Sequence, residues 1–297
     1  MAAGTVLIAP MAQAANGRGL KTEPSHAPSP HSQRPPSINY TVKLEDQLLA
    51  ILQYLPVSFQ PSGSMPVTTT TSTTTTILDP PTSTSTSTST TTTTLVPTTS
   101  TILDPTKLQS GRYVWRFRLL ERTLRPLWHV GTNNVILQGA LMNFQLAHNL
   151  DTTGTMNSAT WHELVSATVR NQVDPLAYNY VYVRQTLPEL LKLYVNGKIT
   201  YATYVNTGVS AAPTQAGTYP VYQRFLTTTM SGVEPDGTPY SDPGIPWVSY
   251  FHGGDALHGF IRSGYGYPQS LGCVEMPFAH AEILFPHTPI GTLVTVQ

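Results

Sequence analysis

The chain has 297 residues, enough for about two domains and at least one well-buried core. Lysine plus arginine equal aspartate plus glutamate at 16 each, and charged residues make up only 11% of the chain, which excludes a nucleic-acid binder that works through a basic face. No run approaches the ~18 apolar residues of a spanning helix, so no permanent membrane anchor is expected.

The segment 1–40 opens on "MAAGTVLIAPMAQAANG", a short apolar run followed by Ala12-Gln13-Ala14. That is the small-x-small pattern of a secretory cleavage site, although the basic n-region is missing, and export is the expectation. The remainder, to residue 40, is rich in Pro, Ser, Gly and His and reads as a disordered tether.

In the segment 41–60, "VKLEDQLLAILQYL" from Val42 to Leu55 sets Leu44, Leu48, Leu49, Leu52 and Leu55 at helical spacing. Residues 61–108 form a spacer that from Pro66 to about Pro105 is nearly all Thr and Ser, with "ILDP" at Ile77 and again at Ile102. Such a composition has too little apolar surface to offset the entropy of ordering its backbone. O-glycosylation is compatible with it but not indicated by composition alone.

Between 109 and 172, "NNVILQGALMNFQLAHNL" repeats the helical pattern through Ile136, Leu137, Leu141, Phe144 and Leu150. A turn and a second helix follow, with Ser158 as the expected N-cap and Trp161 and Leu164 behind it. These pieces are either two unrelated helical bits or one three-helix module interrupted by the spacer.

From Tyr178 to Gln297 the texture is β. "YNYVYVRQ" alternates, and "LLKLYVNGKITYATYVNTG" is two alternating runs joined by Asn196-Gly197, the dipeptide whose positive φ angles suit a type I′ hairpin turn. Further short runs at "TYPVYQRFL", "WVSYF" and "GTLVTV" between Gly and Pro clusters point to an all-β sandwich or barrel.

Cys273 is the only cysteine, so no internal disulfide forms. It lies in "HGGDALHGFIRSGYGYPQSLGCVEM" beside Gly272, which lets a substrate carbonyl approach the main chain. His258 stands far enough upstream for one strand to run into a loop and return to a neighbouring strand. A Cys and a His so placed can act as nucleophile and base, but a lone Cys is also among the residues most often simply packed. His252, His258, Cys273 and His280 carry zinc-ligand atoms, yet their spacings match no familiar zinc pattern, and neither metal nor cofactor is expected.

Two local patterns resemble known families. "ALMNFQLAHNLDTTGTMNSATWHEL" is similar to peptidoglycan-binding modules, with Ala140, Phe144, Gln145, Leu150, Gly154, Thr160, Trp161 and Leu164 in register; Val42 to Leu55 would then supply the first helix. "LHG" at 257–259, "SLGCVEM" at 270–276 and the upstream "APTQAGTY", with Pro213, Thr214, Gly217 and Tyr219 in place, resemble the L,D-transpeptidase (YkuD-type) catalytic domain, over 178–297.

The second resemblance implies Cys273 as nucleophile and His258 as base, its ring oriented through the Gly259 carbonyl. It implies Gly272 and the Cys273 N–H near the oxyanion, with Ser270 supporting the same loop. Tyr250, His252, Asp255 and Glu275 are the candidate substrate-binding residues. Leu271 and Glu275 depart from the motif's usual His and Arg or Asn, and a glutamate would repel a donor carboxylate. The implied activity is acyl transfer between peptidoglycan stem peptides, through a cysteine thioester, in a bacterial wall, periplasmic or extracellular setting. The alternative is a non-catalytic wall-binding protein. A papain-like peptidase is disfavoured, because it places Cys before His on a helix N-terminus.

Overall fold

The computed structural model describes residues 41–62 and 104–297. The signal-like segment, its tether and most of the Thr/Ser-rich spacer lie outside these residues.

The apolar periodicity after Thr41 produces helix α1 (Val42–Ile51), capped by the Thr41 hydroxyl, which accepts from Leu44 N. The helix stops four residues short of Leu55, yet Leu52 and Leu55 stay fully buried. The chain then enters strand β1 (Val57–Pro61), which pairs antiparallel with β2 (Gly111–Trp115). Ser62 N donates to Ser110 O at 2.7 Å, so the chain leaves for the spacer and returns from it at one point. The Arg116 guanidinium adds bonds to Gln53 O at 2.6 Å and Leu55 O at 3.0 Å. Because loop-closure entropy grows only logarithmically with length, a long insertion at this hairpin costs little more than a short one.

Beyond β2 come α2 (Arg118–Leu124), α3 (Val135–Ala147) and α4 (Ser158–Val169). The α4 N-cap is Asn157, not Ser158: the Asn157 side chain accepts from Thr160 N at 2.8 Å, and Ser158 is the first helical residue. An Asx side chain reaches that amide as well as a serine does, so composition alone did not separate the neighbours. Leu48, Leu49, Leu120, Phe144, Trp161 and Leu164 share one core cluster with Tyr178, Tyr180 and Leu293. Among the described residues, four helices and a hairpin rather than three helices surround this core, and it is continuous with the following sheet. Gly139 of α3 lies so close to Gly291 that a Cβ on either would overlap the other's carbonyl oxygen.

The β region forms two sheets. The first contains β3 (Asn179–Arg184), β4 (Leu190–Val195), β5 (Lys198–Tyr204), β6 (Gly217–Pro220) and β11 (Leu293–Val296), in the order β5-β4-β3-β11-β6. The second contains β7 (Gln223–Val233), β8 (Pro239–His252), β9 (Asp255–Gly259) and β10 (Val274–Met276), in the order β10-β9-β8-β7. Asn196 and Gly197 have φ of 48° and 74°, as a type I′ turn between β4 and β5 requires. Alternate residues of both sheets, Val181, Val183, Leu191 and Val294 against Phe251, Leu257, Val274 and Met276, fill the space between them as in a sandwich. Helix α5 (Phe278–Leu284), which the sequence reading did not anticipate, adds Ala281 and Leu284 to that core. Among the described residues no helix is long and apolar enough to cross a membrane.

The acidic start of α1 has a measurable consequence. Glu45 and Asp46 are buried, and loss of hydration pushes their carboxyls up to about 8 and about 7. Both folded values lie above the unfolded ones, so the folded state holds these protons more tightly. Their contribution is complete below pH ~4 and is lost as pH rises towards 8. Relative to Glu45→Gln, the wild type should lose on the order of a few kcal/mol of stability between pH 5 and pH 8.5, measured by urea denaturation at both pH values.

Candidate active site

Strands β9 and β10 run parallel, with Val274 opposite Leu257 and Glu275 opposite His258. Leu257, Val274 and Met276 enter the core between the sheets, whereas Cys273 and Ala256 belong to a separate cluster with Met230, Ile245, Val248 and Tyr250. Side chains alternate along a strand, so His258, two places beyond Ala256, shares the face of Cys273. The loop after β9 returns to the adjacent strand, which sets Cys273 just before β10 and beside β9, although no hydrogen bond joins His258 Nε2 to the sulfur.

His258 is fully buried, and its Nδ1 lies 3.0 Å from Gly259 O. A carbonyl only accepts, so Nδ1 carries the proton and Nε2 keeps its lone pair. Nε2 is buried without a hydrogen-bond partner. Burial lowers the imidazole to about 4, with the Arg262 charge acting in the same direction. Cys273 is also fully enclosed, and burial pushes its thiol well above the ordinary range, reinforced by the charges of Asp255 and Glu275. Its Sγ lies 3.8 Å from Gly254 O. Both members of the pair are therefore neutral near pH 7 in this closed arrangement, rather than a preformed thiolate and imidazolium.

Ser270 holds the turn before the sulfur. Its hydroxyl donates to Cys273 O at 2.5 Å and accepts from Gly272 N at 3.2 Å, so the Gly272 amide is already engaged. Gly272 has φ of 118°, and a Cβ there would overlap Asp255 Oδ1; glycine is required on both counts. Leu271 is buried.

Of the candidate substrate residues, Tyr250 packs in the Cys273 cluster. Asp255 is 4% exposed, accepts from Gln215 N at 3.2 Å and faces His252 Nδ1 at 3.6 Å. Its burial raises the carboxyl to about 6. His252 is more open and packs on Tyr219 at 4.3 Å between ring centroids. Glu275 faces the interior and is 0% exposed. Arg262 grips it with Nε–Oε2 at 2.7 Å and Nη2–Oε1 at 2.8 Å. The glutamate charge expected to repel a donor carboxylate is thus compensated from the loop after β9.

Arg262, Tyr222 and Tyr240 were missed in the sequence. Burial, with the Cys273 charge acting in the same direction, raises the phenols of both tyrosines. Tyr222 also donates to Gly253 O. Among the described residues no group of three or more His, Cys, Asp or Glu is placed to hold a metal ion.

The fold and site together define a β-sandwich domain in which a histidine with a free lone pair stands on the same face as a single cysteine, an arrangement suited to nucleophilic acyl transfer. Residues 178–296 match the YkuD family, the L,D-transpeptidase catalytic domain. The catalytic domain of an L,D-transpeptidase from E. faecium, solved by NMR, is 27% identical with a TM-score of 0.37, the alignment covering 40% of this chain and 96% of that one. An L,D-transpeptidase from Mycobacterium smegmatis is 17% identical with a TM-score of 0.37 over 41% of this chain and 59% of its own. A mutant Enterococcus faecium L,D-transpeptidase is 21% identical with a TM-score of 0.38, over 48% and 65%. The chain thus spans under two thirds of these last two. No curated protein matches the chain.

Proposed function

We propose that the chain is an L,D-transpeptidase that forms 3→3 cross-links in peptidoglycan. The observation that carries the reading is the His258 tautomer: Nδ1–H is committed to Gly259 O and the Nε2 lone pair is left on the Cys273 face. Cys273 Sγ attacks the carbonyl of the third residue, a diamino acid, of a tetrapeptide stem. His258 Nε2 takes the thiol proton as the C–S bond forms, then delivers it to the departing amine. The C–N bond breaks and D-alanine leaves, giving a thioester. The side-chain amine of a second stem attacks that thioester, giving up a proton to His258 Nε2, and the C–S bond breaks as the Cys273 thiol is re-formed, leaving the cross-link; water attacking in the same way only trims the stem. Because both groups are neutral beforehand, proton transfer accompanies attack instead of preceding it.

Export to the cell wall and wall binding by the helical region around α3 and α4 belong to the same proposal. They are supported by the small-x-small segment and by the pattern from Ala140 to Leu164.

Complete enclosure of the sulfur favours a second reading, a β domain that only docks to the wall. On the enzymatic reading the cover made by Met230, Ile245, Val248 and Tyr250 of β7 and β8 must part for substrate. Purified protein incubated with tetrapeptide donor and a free-amine acceptor, with products read by mass spectrometry, separates the two. D-Alanine release with dimers supports transfer, release alone supports trimming, and no release supports docking.

A further inference from the structure

A side-chain amine of pKa ~10.4 reaches neutral water as an ammonium, which has no lone pair for attack. Two protons must therefore leave the acceptor nitrogen, one before its bond to the acyl carbon forms and one with it. His258 Nε2 takes the second. Burial disfavours charge on His258, which makes it a poor acceptor for the first.

The turn between β8 and β9 carries another imidazole beside the sulfur. Gly254 O lies 3.8 Å from Cys273 Sγ, and the Asp255 carboxyl packs so tightly on Gly272 that a Cβ there would overlap Oδ1. Of the two carboxylates whose charges oppose ionisation of Cys273, Glu275 is neutralised by Arg262. Asp255 pairs with no arginine or lysine among the described residues; it faces His252, with Nδ1 3.6 Å from Oδ2. A carboxylate only accepts, so Nδ1 carries the proton and Nε2 keeps its lone pair. The His252 side chain is 41% exposed against 5% for Asp255, and its ring rests on Tyr219. It is fixed in place and still able to pass a proton to water.

We propose, resting on the transferase reading, that His252 is the base that takes the first proton from the acceptor ammonium, while Asp255 holds that ammonium and then balances the imidazolium. The N–H bond breaks, its electron pair stays on nitrogen, and the proton bonds His252 Nε2. The free amine attacks the thioester, His258 Nε2 passes the second proton to the departing sulfur, and His252 releases the first to water.

The test uses the full chain at pH 7 with a tetrapeptide stem that serves as both donor and acceptor, its products counted by mass spectrometry. The ratio of dimer to trimmed tripeptide reports how the acyl-enzyme is divided, independently of how fast it forms or how much protein is folded. His252→Phe, which keeps a ring on Tyr219, and Asp255→Asn should each lower that ratio at least ~10-fold. Trifluoroethylamine, an acceptor already unprotonated at pH 7, needs no first base, so its ratio of amide to tripeptide should change less than ~2-fold in the same variants. Equal losses with both acceptors would reduce the pair to a structural role, and an unchanged dimer ratio would overturn the assignment while leaving the transferase reading intact. A wild type that releases no D-alanine would overturn both.

Discussion

Cys273→Ala is expected to eliminate D-alanine release and cross-linking, a loss of at least about 10⁴-fold in kcat/KM. In the proposed mechanism the sulfur bonds the acyl group, and the chain holds no second thiol to replace it. Alanine fits a site already lined by Met230, Ile245, Val248 and Ala256, so the variant should keep its far-ultraviolet circular dichroism. His258→Ala should cost about 10²–10⁴-fold, because substrate binding is intact but the thiol proton has no acceptor. The same residue sets the acid limb of the wild-type rate. Burial lowers its pKa to about 4, so protonation of the base should reduce activity near pH 4 instead of near 6.5. A limb at the ordinary histidine value would mean that the imidazole is hydrated when it works.

Arg262→Met should destabilise the protein by about 3–5 kcal/mol, the largest expected effect on folding. Glu275 is 0% exposed and the Arg262 side chain only 4%, and the two are joined by parallel N–H···O bonds. Removing the guanidinium strands a carboxylate opposite His258, in the strand that follows Cys273. Arg262 also lies over the Phe260 ring at 4.6 Å and donates to Gln269 O at 3.2 Å, so the loop between β9 and β10 loses its clamp. The double variant with Glu275→Leu should recover most of the loss, because a buried pair is costly to break and cheap to replace whole. Urea denaturation of the wild type, both single variants and the double variant measures the coupling. Additive losses would show that the pair does not act as a unit.

The sheets were legible because their signals are local. Asn196-Gly197 specifies its turn, and the alternation that carries Val181, Val183, Leu191 and Leu193 specifies which face enters the sandwich. The spacing of His258 and Cys273 allows a strand, a loop and a return strand between them, and β9 and β10 are connected in that way. What escaped was long-range. The β1–β2 hairpin is split by the spacer, so no turn residue marks it, and the salt bridge from Arg262 to Glu275 leaves no periodic trace. The enclosure of Cys273 depends on side chains from the β7–β8 hairpin, which no motif around the cysteine encodes. For the same reason Glu275 was expected to face substrate, although its charge is already satisfied inside the protein.

The proposed reaction requires Cys273 to become the carrier of an acyl group. Intact-protein mass spectrometry after brief mixing with a tetrapeptide donor, without acceptor, reads this directly. The expected result is a mass increase equal to the stem less D-alanine, located on the peptide containing Cys273, sensitive to hydroxylamine, and absent from Cys273→Ala. D-Alanine release with no adduct on Cys273, or an adduct that survives in Cys273→Ala, would contradict it.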